Sequence, residues 1–421
     1  MSKKKICIMG LGYIGLPTAA MFATHGHQII GVDINQEVIT ALNEGRITIN
    51  EPYLDIMVQA AVASGNLVGR LQPEEADVFI IAVPTPITED KRADMSYVIA
   101  ATEAIVPCLR EGNAVVLEST SPTGTVAELM VPILEKSGLV IGEQLYVAHS
   151  PERVLPGKIL IELVENTRIV GGINRKSAEV VRDLYKIFVR GEIFITDATT
   201  AEMCKMMENT YRDVNIALAN ELAIICERAG INAWEVIELC NKHPRVNLHQ
   251  PGPGVGGHCI AIDPWFIVEK FPKESKIIKM ARDTNDSMPH YVYEKIEETL
   301  KDVSGMKTVT VLGITYKPDV DDLRESPILH LIELLKENGN YAIKVTDPYV
   351  KKHENLENSV LNAAKGSDLL LLGVHHQEYK NLDLNLLGSV MRNRNIIDTR
   401  NITSKQKLEE AGFNHKLIGN R

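Results

Sequence analysis

Residues 5–15 have the sequence KICIMGLGYIG. The first five are a short apolar run, typical of a buried β-strand, and the rest contain the pattern Gly10-x-Gly12-x-x-Gly15. Between a strand and a helix, Gly10 allows a tight turn, Gly12 lets the backbone approach a pyrophosphate, and Gly15 lets helix and strand pack closely. The segment therefore predicts the phosphate-binding turn of a dinucleotide site.

The residues that follow complete a βαβ unit. Leu16–His25 has a helical pattern, and the apolar run Gln28–Val32 ends in Asp33. N–H groups at the start of this helix, near Tyr13 and Ile14, are predicted to face the phosphates because they lack partners within the helix. Asp33 can accept hydrogen bonds from an adenosine ribose, and its charge would repel a 2′-phosphate. The sequence therefore predicts NAD rather than NADP.

The composition narrows the class of protein. The chain has 421 residues, is 45% hydrophobic and carries a formal net charge of -10, which predicts two or three domains and argues against nucleic acid or an anionic membrane as partner. Six scattered cysteines without CxxC pairs predict neither a disulfide framework nor a metal site. We expect a cytoplasmic location, since the chain lacks a signal-peptide pattern and an apolar run long enough to span a membrane.

Strand-like runs and helical patterns alternate in both halves of the chain. This alternation predicts an α/β fold with two Rossmann-like, doubly wound domains. The long helical stretch Thr199–Ala229 predicts a helix that connects domains and offers a dimer surface. We expect an NAD-binding domain over 1–197, a central helical dimerisation domain over 198–303, and a second Rossmann-like domain over 304–421 without a second GxGxxG pattern. The predicted strands are Lys5–Met9, Gln28–Val32, Val78–Val83, Ala114–Glu118, Leu145–His149, Thr308–Leu312, Ala342–Thr346, Leu369–Val374 and Asn395–Ile397.

Two loops follow predicted strands of the first domain. Val83–Pro86 contains Pro84 and Thr85, and Glu118–Thr120 comes after the next strand. Doubly wound sheets bind ligands at the carboxyl ends of their strands, so we expect both loops to line the cofactor cleft, with Thr120 among the cofactor contacts. Taken alone, either loop is also compatible with an ordinary turn.

A glycine-rich loop precedes a candidate nucleophile. Residues 251–259 have the sequence PGPGVGGHC, and such a loop can bring backbone N–H groups near a ligand while leaving Cys259 uncovered. A thiolate can attack an aldehyde, and the resulting thiohemiacetal can be oxidised to a thioester. Asp263 is positioned in sequence to order a water or take a proton. The alternative is that Cys259 is a small core residue in a glycine turn.

Polar residues also recur along the long helix. Lys205, Asn209 and Arg212 share one helix face, where a cation beside a thiol or an oxyanion would stabilise negative charge. On a solvated helix the same stripe would be inert. Glu152 follows another predicted strand and, taken alone, is compatible with a structural role.

Together these motifs resemble the UDP-glucose/GDP-mannose dehydrogenase family, and the resemblance extends from the first strand to Asp398–Asn401. Within the family, Pro151–Gly157, Asn209–Asn215 and His243–Cys259 are most similar to the branch that acts on UDP-N-acetyl-D-mannosamine. The segments that carry the family resemblance are Gly10–Gly15, Val83–Pro86, Glu118–Thr120, Ser150–Arg153, Lys205–Asn209, Gly256–Asp263 and Tyr316–Ser326.

The resemblance implies an oxidoreductase that converts the C6 hydroxyl of a UDP-sugar to a carboxylate with two NAD consumed, for surface polysaccharide precursors. Cys259 would hold the aldehyde and then the thioester. Lys205 and Asn209 would stabilise the oxyanion, while Asp263 and Thr120 would order the water. The implied assembly is a homodimer or a dimer-based oligomer, with the UDP-sugar bound by the C-terminal domain.

The remaining ligand contacts are also implied by the resemblance. Arg245 would reach the nucleotide-sugar of a neighbouring subunit, and Lys317 with Arg324 would serve the nucleotide-sugar side of the C-terminal domain. The residues assigned to the nucleotide-sugar are Arg153, Lys205, Asn209, Arg212, Arg245, His249, Gly256 and Lys317. The residues assigned to the cofactor are Gly10, Gly12, Tyr13, Ile14, Gly15, Asp33, Pro84, Thr85, Thr120 and Arg324.

One position departs from the glucose-oxidising members of the family. These commonly have a second glutamate four residues after the one that matches Glu152, and this chain has Pro156 there. Glu152 is assigned to the catalytic set, near the sugar or the water, but the general base is left open. The substitution weakens the case for UDP-glucose. UDP-N-acetylglucosamine and UDP-glucose remain the alternative substrates.

Overall fold

The computed structural model describes residues 3–420. Its contacts divide the chain into two compact units, one of Met1–Glu208 with Trp265–Phe271 and one of Asn209–Pro264 with Pro272–Arg421. We call these the first and the second unit. The α/β fold with two parallel-sheet domains and a long central helix is confirmed. The three domain ranges expected from the sequence stay a prediction.

The first unit contains an eight-stranded sheet with the order β3-β2-β1-β4-β5-β6-β7-β8. Its neighbouring strands are parallel except for β6 and β7, which pair antiparallel. The sequence pattern missed β3, β7 and β8. The strands are β1 (Lys5–Met9), β2 (Gln28–Val32), β3 (Leu67–Arg70), β4 (Val78–Ile81), β5 (Ala114–Leu117), β6 (Tyr146–His149), β7 (Arg168–Gly172) and β8 (Ile193–Asp197).

The second unit contains a five-stranded parallel sheet with the order β10-β9-β11-β12-β13. The sequence pattern located four of these strands to within two residues and missed the edge strand β13. The strands are β9 (Lys307–Leu312), β10 (Tyr341–Thr346), β11 (Leu369–Leu372), β12 (Asn395–Asp398) and β13 (Asn414–Leu417).

Helices connect the strands of both units. In the described residues, short 3₁₀ or π-helical turns add to them at Val106–Cys108, Thr125–Met130, Glu135–Ser137 and Gln377–Asn381. The α-helices are α1 (Gly15–Thr24), α2 (Gln36–Asn43), α3 (Leu54–Ala63), α4 (Ser96–Ile105), α5 (Val131–Leu134), α6 (Ile159–Glu165), α7 (Arg175–Tyr185), α8 (Ala198–Ala229), α9 (Ala233–Cys240), α10 (Asp263–Lys270), α11 (Lys276–Thr299), α12 (Pro327–Asn338), α13 (Val360–Ala364), α14 (Leu384–Val390) and α15 (Lys405–Glu410).

Both sheets are covered on their two faces. Along β1, Ile6 and Ile8 belong to one apolar cluster while Cys7 and Met9 belong to another, because successive side chains of a strand point to opposite faces. Along β11, the residues of 369–372 alternate in the same way between two clusters of the second unit. Such strands appear in the sequence as continuous apolar runs, which is why most of them were recognised.

The same strand–turn arrangement occurs in both units. In the first, Gly10 has φ 93° and its N–H donates to Val32 O at 2.8 Å. In the second, Gly313 has φ 86° and its N–H donates to Thr346 O, also at 2.8 Å. Glycine adopts this left-handed backbone without the steric cost that a Cβ brings. The second unit therefore has the turn of a Rossmann-like fold although its sequence lacks GxGxxG.

Candidate active site

The glycine turn of the first unit is shaped by close backbone contacts. A Cβ at Gly10 would lie 2.6 Å from Ala82 O, and one at Gly15 would lie 1.8 Å from Gly10 O. At Gly12, no described atom lies within 4 Å of such a Cβ. Gly10 and Gly15 are therefore required by the fold itself, whereas the absence of a side chain at Gly12 leaves open space where a pyrophosphate would approach.

Asp33 connects this turn to the end of β2. Its Oδ2 accepts the N–H of Leu11 at 3.0 Å, and its Oδ1 accepts the N–H of Asn35 at 2.9 Å. The residue is partly exposed, and a carboxylate has lone pairs for about four hydrogen bonds. Asp33 can thus hold the turn in place and still accept ribose hydroxyls, so the residues present fit NAD. Nearby Tyr13 is exposed and Ile14 half-buried.

The loops after β4 and β5 are brought together. The hydroxyl of Thr85 donates to Thr120 O at 2.7 Å, and that of Ser119 donates to Val83 O at 2.7 Å. Pro84 is exposed beside them. The expectation that these two loops lie side by side at the carboxyl edge of the sheet is therefore met by the geometry, while their contacts with a cofactor stay a prediction.

Glu152 is almost completely buried in the loop after β6. Its Oε2 accepts a hydrogen bond from Arg168 Nη2 at 2.5 Å, and its Oε1 accepts the N–H of Arg153 at 2.8 Å. The guanidinium of Arg153 donates to Glu208 at 3.0 Å and to Thr167 O at 2.9 Å. Arg153 thus already has protein partners, so its assignment to the nucleotide-sugar stays a prediction.

Lys205 lies on α8, one helical turn before Asn209, and is half-buried. In the same unit, His149 at the end of β6 is fully buried. Burial, together with a smaller effect from the positive charge of Lys205, lowers the pKa of His149 to about 3. The imidazole is therefore neutral at ordinary pH, and Lys205 is a cation close to the strand end that precedes Glu152.

In the second unit, Cys259, Asp263 and Asn209 are linked by hydrogen bonds. Asp263 begins α10, and its N–H donates to Cys259 O at 2.8 Å. The Asn209 amide donates through Nδ2 to Asp263 Oδ2 at 2.5 Å. Asn209 and Asp263 are 8% and 2% exposed, and Cys259 is more exposed than either. The carboxylate of Asp263 is thereby held by the Asn209 amide one turn of chain after Cys259, and Cys259 is not a fully buried core thiol.

The glycine-rich loop packs against the protein. A Cβ at Gly256 would lie 2.3 Å from Glu325 O, and one at Gly257 would lie 2.7 Å from the ring of Tyr316. The N–H of Gly257 also donates to Arg324 O at 3.0 Å. The sequence predicts that this loop brings backbone N–H groups near a ligand. The structure shows a further reason for glycine at these two positions, because residues 316–325 pack too closely to leave room for a Cβ.

Tyr316 lies next to the candidate nucleophile. Burial raises its pKa to about 12, and the charges of Asp322 and then Cys259 act in the same direction. Arg324 forms a bidentate ion pair with Asp322, with contacts of 3.0 and 2.6 Å. Burial raises the pKa of Asp322, but hydrogen bonds from Arg324 outweigh it, and the net shift is downward. The half-buried Lys317 follows Tyr316 with its Nζ 5.7 Å from the ring centroid.

Three other residues predicted to bind the nucleotide-sugar also belong to the second unit. His249 is half-buried, and its pKa is lowered by burial and then by the charge of Arg212, so these two lie near one another. Arg245 is exposed, and its N–H donates to His243 Nδ1 at 3.3 Å. The predicted reach of Arg245 into a neighbouring subunit stays a prediction.

Sequence patterns missed several residues that support these sites. Arg168 begins a strand that the apolar pattern did not reveal. Tyr316 was noticed only as part of a motif. Asn220 accepts the N–H of Gly252 at 2.8 Å and donates to Asn285 at 2.9 Å, so it anchors the start of the glycine-rich loop. Buried asparagines on two helices were the available signal, since an amide is rarely buried without partners.

Two further observations concern classes of site. No helix among residues 3–420 is both long and apolar enough to cross a membrane. Within the same residues, no group of three or more His, Cys, Asp or Glu is arranged to hold a metal ion.

Comparison with known proteins agrees with the fold. Residues 4–189, 199–287 and 310–405 match the NAD binding domain, the central domain and the UDP binding domain of the UDP-glucose/GDP-mannose dehydrogenase family. The UDP-N-acetyl-D-mannosamine dehydrogenase of Methanococcus maripaludis (strain C7) is 48% identical, over 99% of this chain and 97% of that one. The NDP-N-acetyl-D-galactosaminuronic acid dehydrogenase of Ralstonia solanacearum is 46% identical, over 96% and 97%.

Among solved structures, the UDP-N-acetyl-mannosamine dehydrogenase of Staphylococcus aureus is similar over 99% of both chains, with a TM-score of 0.90 and 47% identity. The family match covers each part of the chain that carries a candidate site. This chain belongs to the UDP-glucose/GDP-mannose dehydrogenase family, whose NAD binding and UDP binding domains it contains.

Proposed function

We propose that this protein oxidises the C6 hydroxyl of UDP-N-acetyl-D-mannosamine twice, giving UDP-N-acetyl-D-mannosaminuronate and two NADH. The observation that carries the proposal is that Cys259 lies one turn of chain before Asp263, whose carboxylate accepts a hydrogen bond from Asn209. A single-step alcohol dehydrogenase needs no thiol, whereas a two-step oxidation needs a group that retains the aldehyde carbon. Identity of 48% to a UDP-N-acetyl-D-mannosamine dehydrogenase supports the choice of sugar.

The cofactor belongs to the first unit in this proposal. The Gly10–Gly15 turn and Asp33 would hold NAD⁺, which would supply the hydride acceptor for each of the two oxidations. The open space at Gly12 and the spare acceptor capacity of Asp33 support this assignment. Pro84, Thr85 and Thr120 are proposed as further cofactor contacts.

Cys259 supplies the covalent chemistry. Its thiolate adds to the C6 aldehyde, forming a C–S bond and an alkoxide, and loss of hydride from that carbon leaves a thioester. Lys205 and Asn209 are proposed to stabilise the alkoxide oxygen, because a cation and an amide N–H favour developing negative charge. Water then breaks the C–S bond, releasing the carboxylate and the thiol. Asp263 and Thr120 are proposed to order that water.

The UDP part of the substrate is assigned to the second unit, with Lys317, Gly256, Arg212 and His249 among its contacts. Residues 310–405 match the family's UDP binding domain, which supports this assignment. The proposed domain roles are those expected from the sequence, with 198–303 as the central domain. The cytoplasmic location is part of the same proposal.

A homodimer, or an oligomer built from it, is also proposed. Tyr211, Leu218 and Ile225 on α8 are 56%, 49% and 53% exposed. They are seven residues apart, so they lie on one face of the helix and form an apolar stripe. Exposed large apolar side chains in a row are typical of an interface, and a second α8 would cover this one.

The substrate is tested with a panel of UDP-sugars and NAD⁺: N-acetylmannosamine, N-acetylglucosamine, N-acetylgalactosamine and glucose. We expect two NADH per molecule of UDP-N-acetyl-D-mannosamine and the mass of the uronate as product. A yield of one NADH would refute the two-step oxidation, and preference for another sugar would refute the proposed substrate.

The role of Cys259 is tested by substitution. In Cys259→Ser, uronate formation should be lost, while Cys240→Ser, which changes a cysteine outside the proposed site, serves as the control.

A further inference from the structure

A buried cluster of three ionisable side chains contains Glu152. Glu118 follows β5, Glu152 lies in the loop after β6, and Arg168 begins β7. Their side chains are 0%, 7% and 4% exposed. We call these three residues the Arg168 cluster. All of them belong to the first unit, and two of them lie outside the residues predicted to act on the substrate.

Arg168 is connected to both carboxylates. Its Nη2 donates to Glu152 Oε2 at 2.5 Å, and its Nη1 lies 3.5 Å from Glu118 Oε1. Nη1 also donates to the hydroxyl of Ser150 at 3.2 Å. Because the other oxygen of Glu152 accepts the N–H of Arg153, both oxygens of this carboxylate have fixed donors. The orientation of Glu152 therefore depends on where Arg168 is held.

Glu118 and its neighbours hold Arg168. Tyr185 on α7 donates its hydroxyl to Glu118 Oε1 at 2.5 Å, and Thr18 on α1 donates to Oε2 at 3.4 Å. The guanidinium carbon of Arg168 lies 4.2 Å from the ring centroid of Tyr185, a cation–π geometry. The cluster thus lies at the ends of β5, β6 and β7 and is contacted by α1 and α7.

The charges of the cluster do not balance when both carboxylates are ionised. One guanidinium then faces two buried carboxylates, and an excess buried charge is costly. Burial raises the pKa of Glu118 to about 7; Arg168 opposes this rise and Glu152 adds to it. With Tyr185, whose pKa burial raises, these are the ionisable groups that face Glu118. Near neutral pH, a proton on Glu118 leaves Arg168 and Glu152 as a balanced ion pair.

We propose that Arg168 and Glu118 are positioning residues that fix the orientation of Glu152 for the oxidation of the sugar. The proposal rests on the proposed function, in which Glu152 belongs to the reacting site. It gives a role to Glu118, the second carboxylate of the Arg168 cluster. That second carboxylate acts through Arg168 rather than on the substrate.

A double-mutant cycle tests the coupling. Glu152→Gln, Arg168→Lys and the double variant are compared with the wild type for kcat and KM. Arg168→Lys retains the positive charge but cannot contact Glu118 and Glu152 at the same time through two nitrogens. We expect kcat to fall roughly 10- to 100-fold with little change in the KM for NAD⁺. In the double variant, the loss should equal that of Glu152→Gln alone. If the fold-losses in kcat of the two single variants multiply in the double variant, Glu152 and Arg168 act independently and the proposal is overturned.

Glu118→Gln provides a second readout that does not require Arg168 to change. Glutamine imitates the protonated acid, so we expect folding to be retained and an inflection of kcat near pH 7 to disappear. An unchanged pH profile would overturn the role of Glu118. The matched control is Arg175→Met, which removes an exposed arginine from α7 and should leave kcat and the pH profile unchanged.

Infrared difference spectra separate this proposal from the proposed function. A buried protonated carboxyl has its own C=O stretching band, which should titrate in the wild type and be absent from Glu118→Gln, without any substrate. If the wild type oxidises no UDP-sugar, the proposed function fails whatever the spectra show. If the wild type does oxidise a UDP-sugar, but the carboxyl C=O band is missing and the fold-losses of the single variants multiply in the double variant, only the proposed role of the Arg168 cluster fails.

Discussion

Asn209 and Asp263 are joined by a side-chain hydrogen bond of 2.5 Å, Nδ2 to Oδ2, although 54 residues separate them in sequence. The N–H of Asp263 also donates to Cys259 O. The side-chain amide of Asn209 on α8 thus fixes the carboxylate of Asp263, which lies one turn of chain after the candidate nucleophile Cys259. This arrangement gives Asp263 a fixed orientation before any water or substrate binds.

The first prediction concerns Asp263. Asp263→Asn keeps the shape of the side chain but removes the charge that would order or deprotonate the hydrolytic water. We expect kcat to fall by about 10²-fold and the thioester on Cys259 to accumulate, visible as a sugar-sized increase in the mass of the intact protein. Asp302→Asn, at an exposed position, is the control. Loss of turnover without a mass increase would place Asp263 before thioester formation instead.

The second prediction concerns the cofactor. Asp33→Asn removes a charged acceptor for ribose hydroxyls, and a hydrogen bond to a charged group contributes about 2 kcal/mol. We expect the KM for NAD⁺ to rise by roughly 30-fold with a smaller effect on kcat, and turnover with NADP⁺ to increase because the repulsive charge is gone. Steady-state kinetics with both cofactors measures this. An unchanged KM, matching that of the exposed control Asp55→Asn, would show that Asp33 only supports the turn.

The third prediction concerns stability in acid. The buried imidazole of His149 has its pKa lowered from 6.5 to about 3. Between these two pH values, His149 is protonated in the unfolded chain and neutral in the folded chain. The stabilising contribution is present above pH 6.5 and is lost as pH falls towards 3, by about 1 kcal/mol per pH unit. Melting temperatures should therefore fall less steeply between pH 7 and pH 5 in His149→Asn than in the wild type.

The control for this measurement is His243→Asn, since His243 is exposed. It should have the acid sensitivity of the wild type. The difference between variant and wild type removes the contributions of the other buried acids and bases, which both proteins share. Parallel pH curves for the wild type and His149→Asn would contradict the buried neutral state of this residue.

The fourth prediction concerns assembly. Leu218→Arg places a charge in the middle of the apolar stripe on α8, and burying it in an interface without a partner is costly. We expect sedimentation velocity to give a dimer-based mass for the wild type and the monomer mass for the variant. Val140→Arg, on the first unit, should retain the wild-type mass. An equal mass for Leu218→Arg and the wild type would exclude this stripe as the interface.

Local patterns predicted much of this fold. One βαβ unit contains the turn of 10–15, the helix after it and Asp33 at the end of β2. The residues that predict this unit are therefore close together in the sequence. Central strands buried on both faces were recognised as apolar runs. The strand β7 was missed because its sequence RIVGG has only a few apolar residues, and it begins with a buried arginine.

Other features depend on contacts between residues that are distant in sequence. No periodic pattern indicates that Arg168 lies between Glu118 and Glu152, since each follows or begins a different strand and the order of strands in the sheet brings them together. The sequence also gives no sign that residues 316–325 pack against Gly256 and Gly257.

The sequence by itself therefore determined the class of fold, the dinucleotide turn and the family, because these depend on residue type and short spacing. Only the tertiary structure decided which partners hold Glu152 and Asp263 in place. Their orientation is fixed by hydrogen bonds from Arg168 and Asn209, and such bonds form only where the fold brings distant segments within about 3 Å of one another.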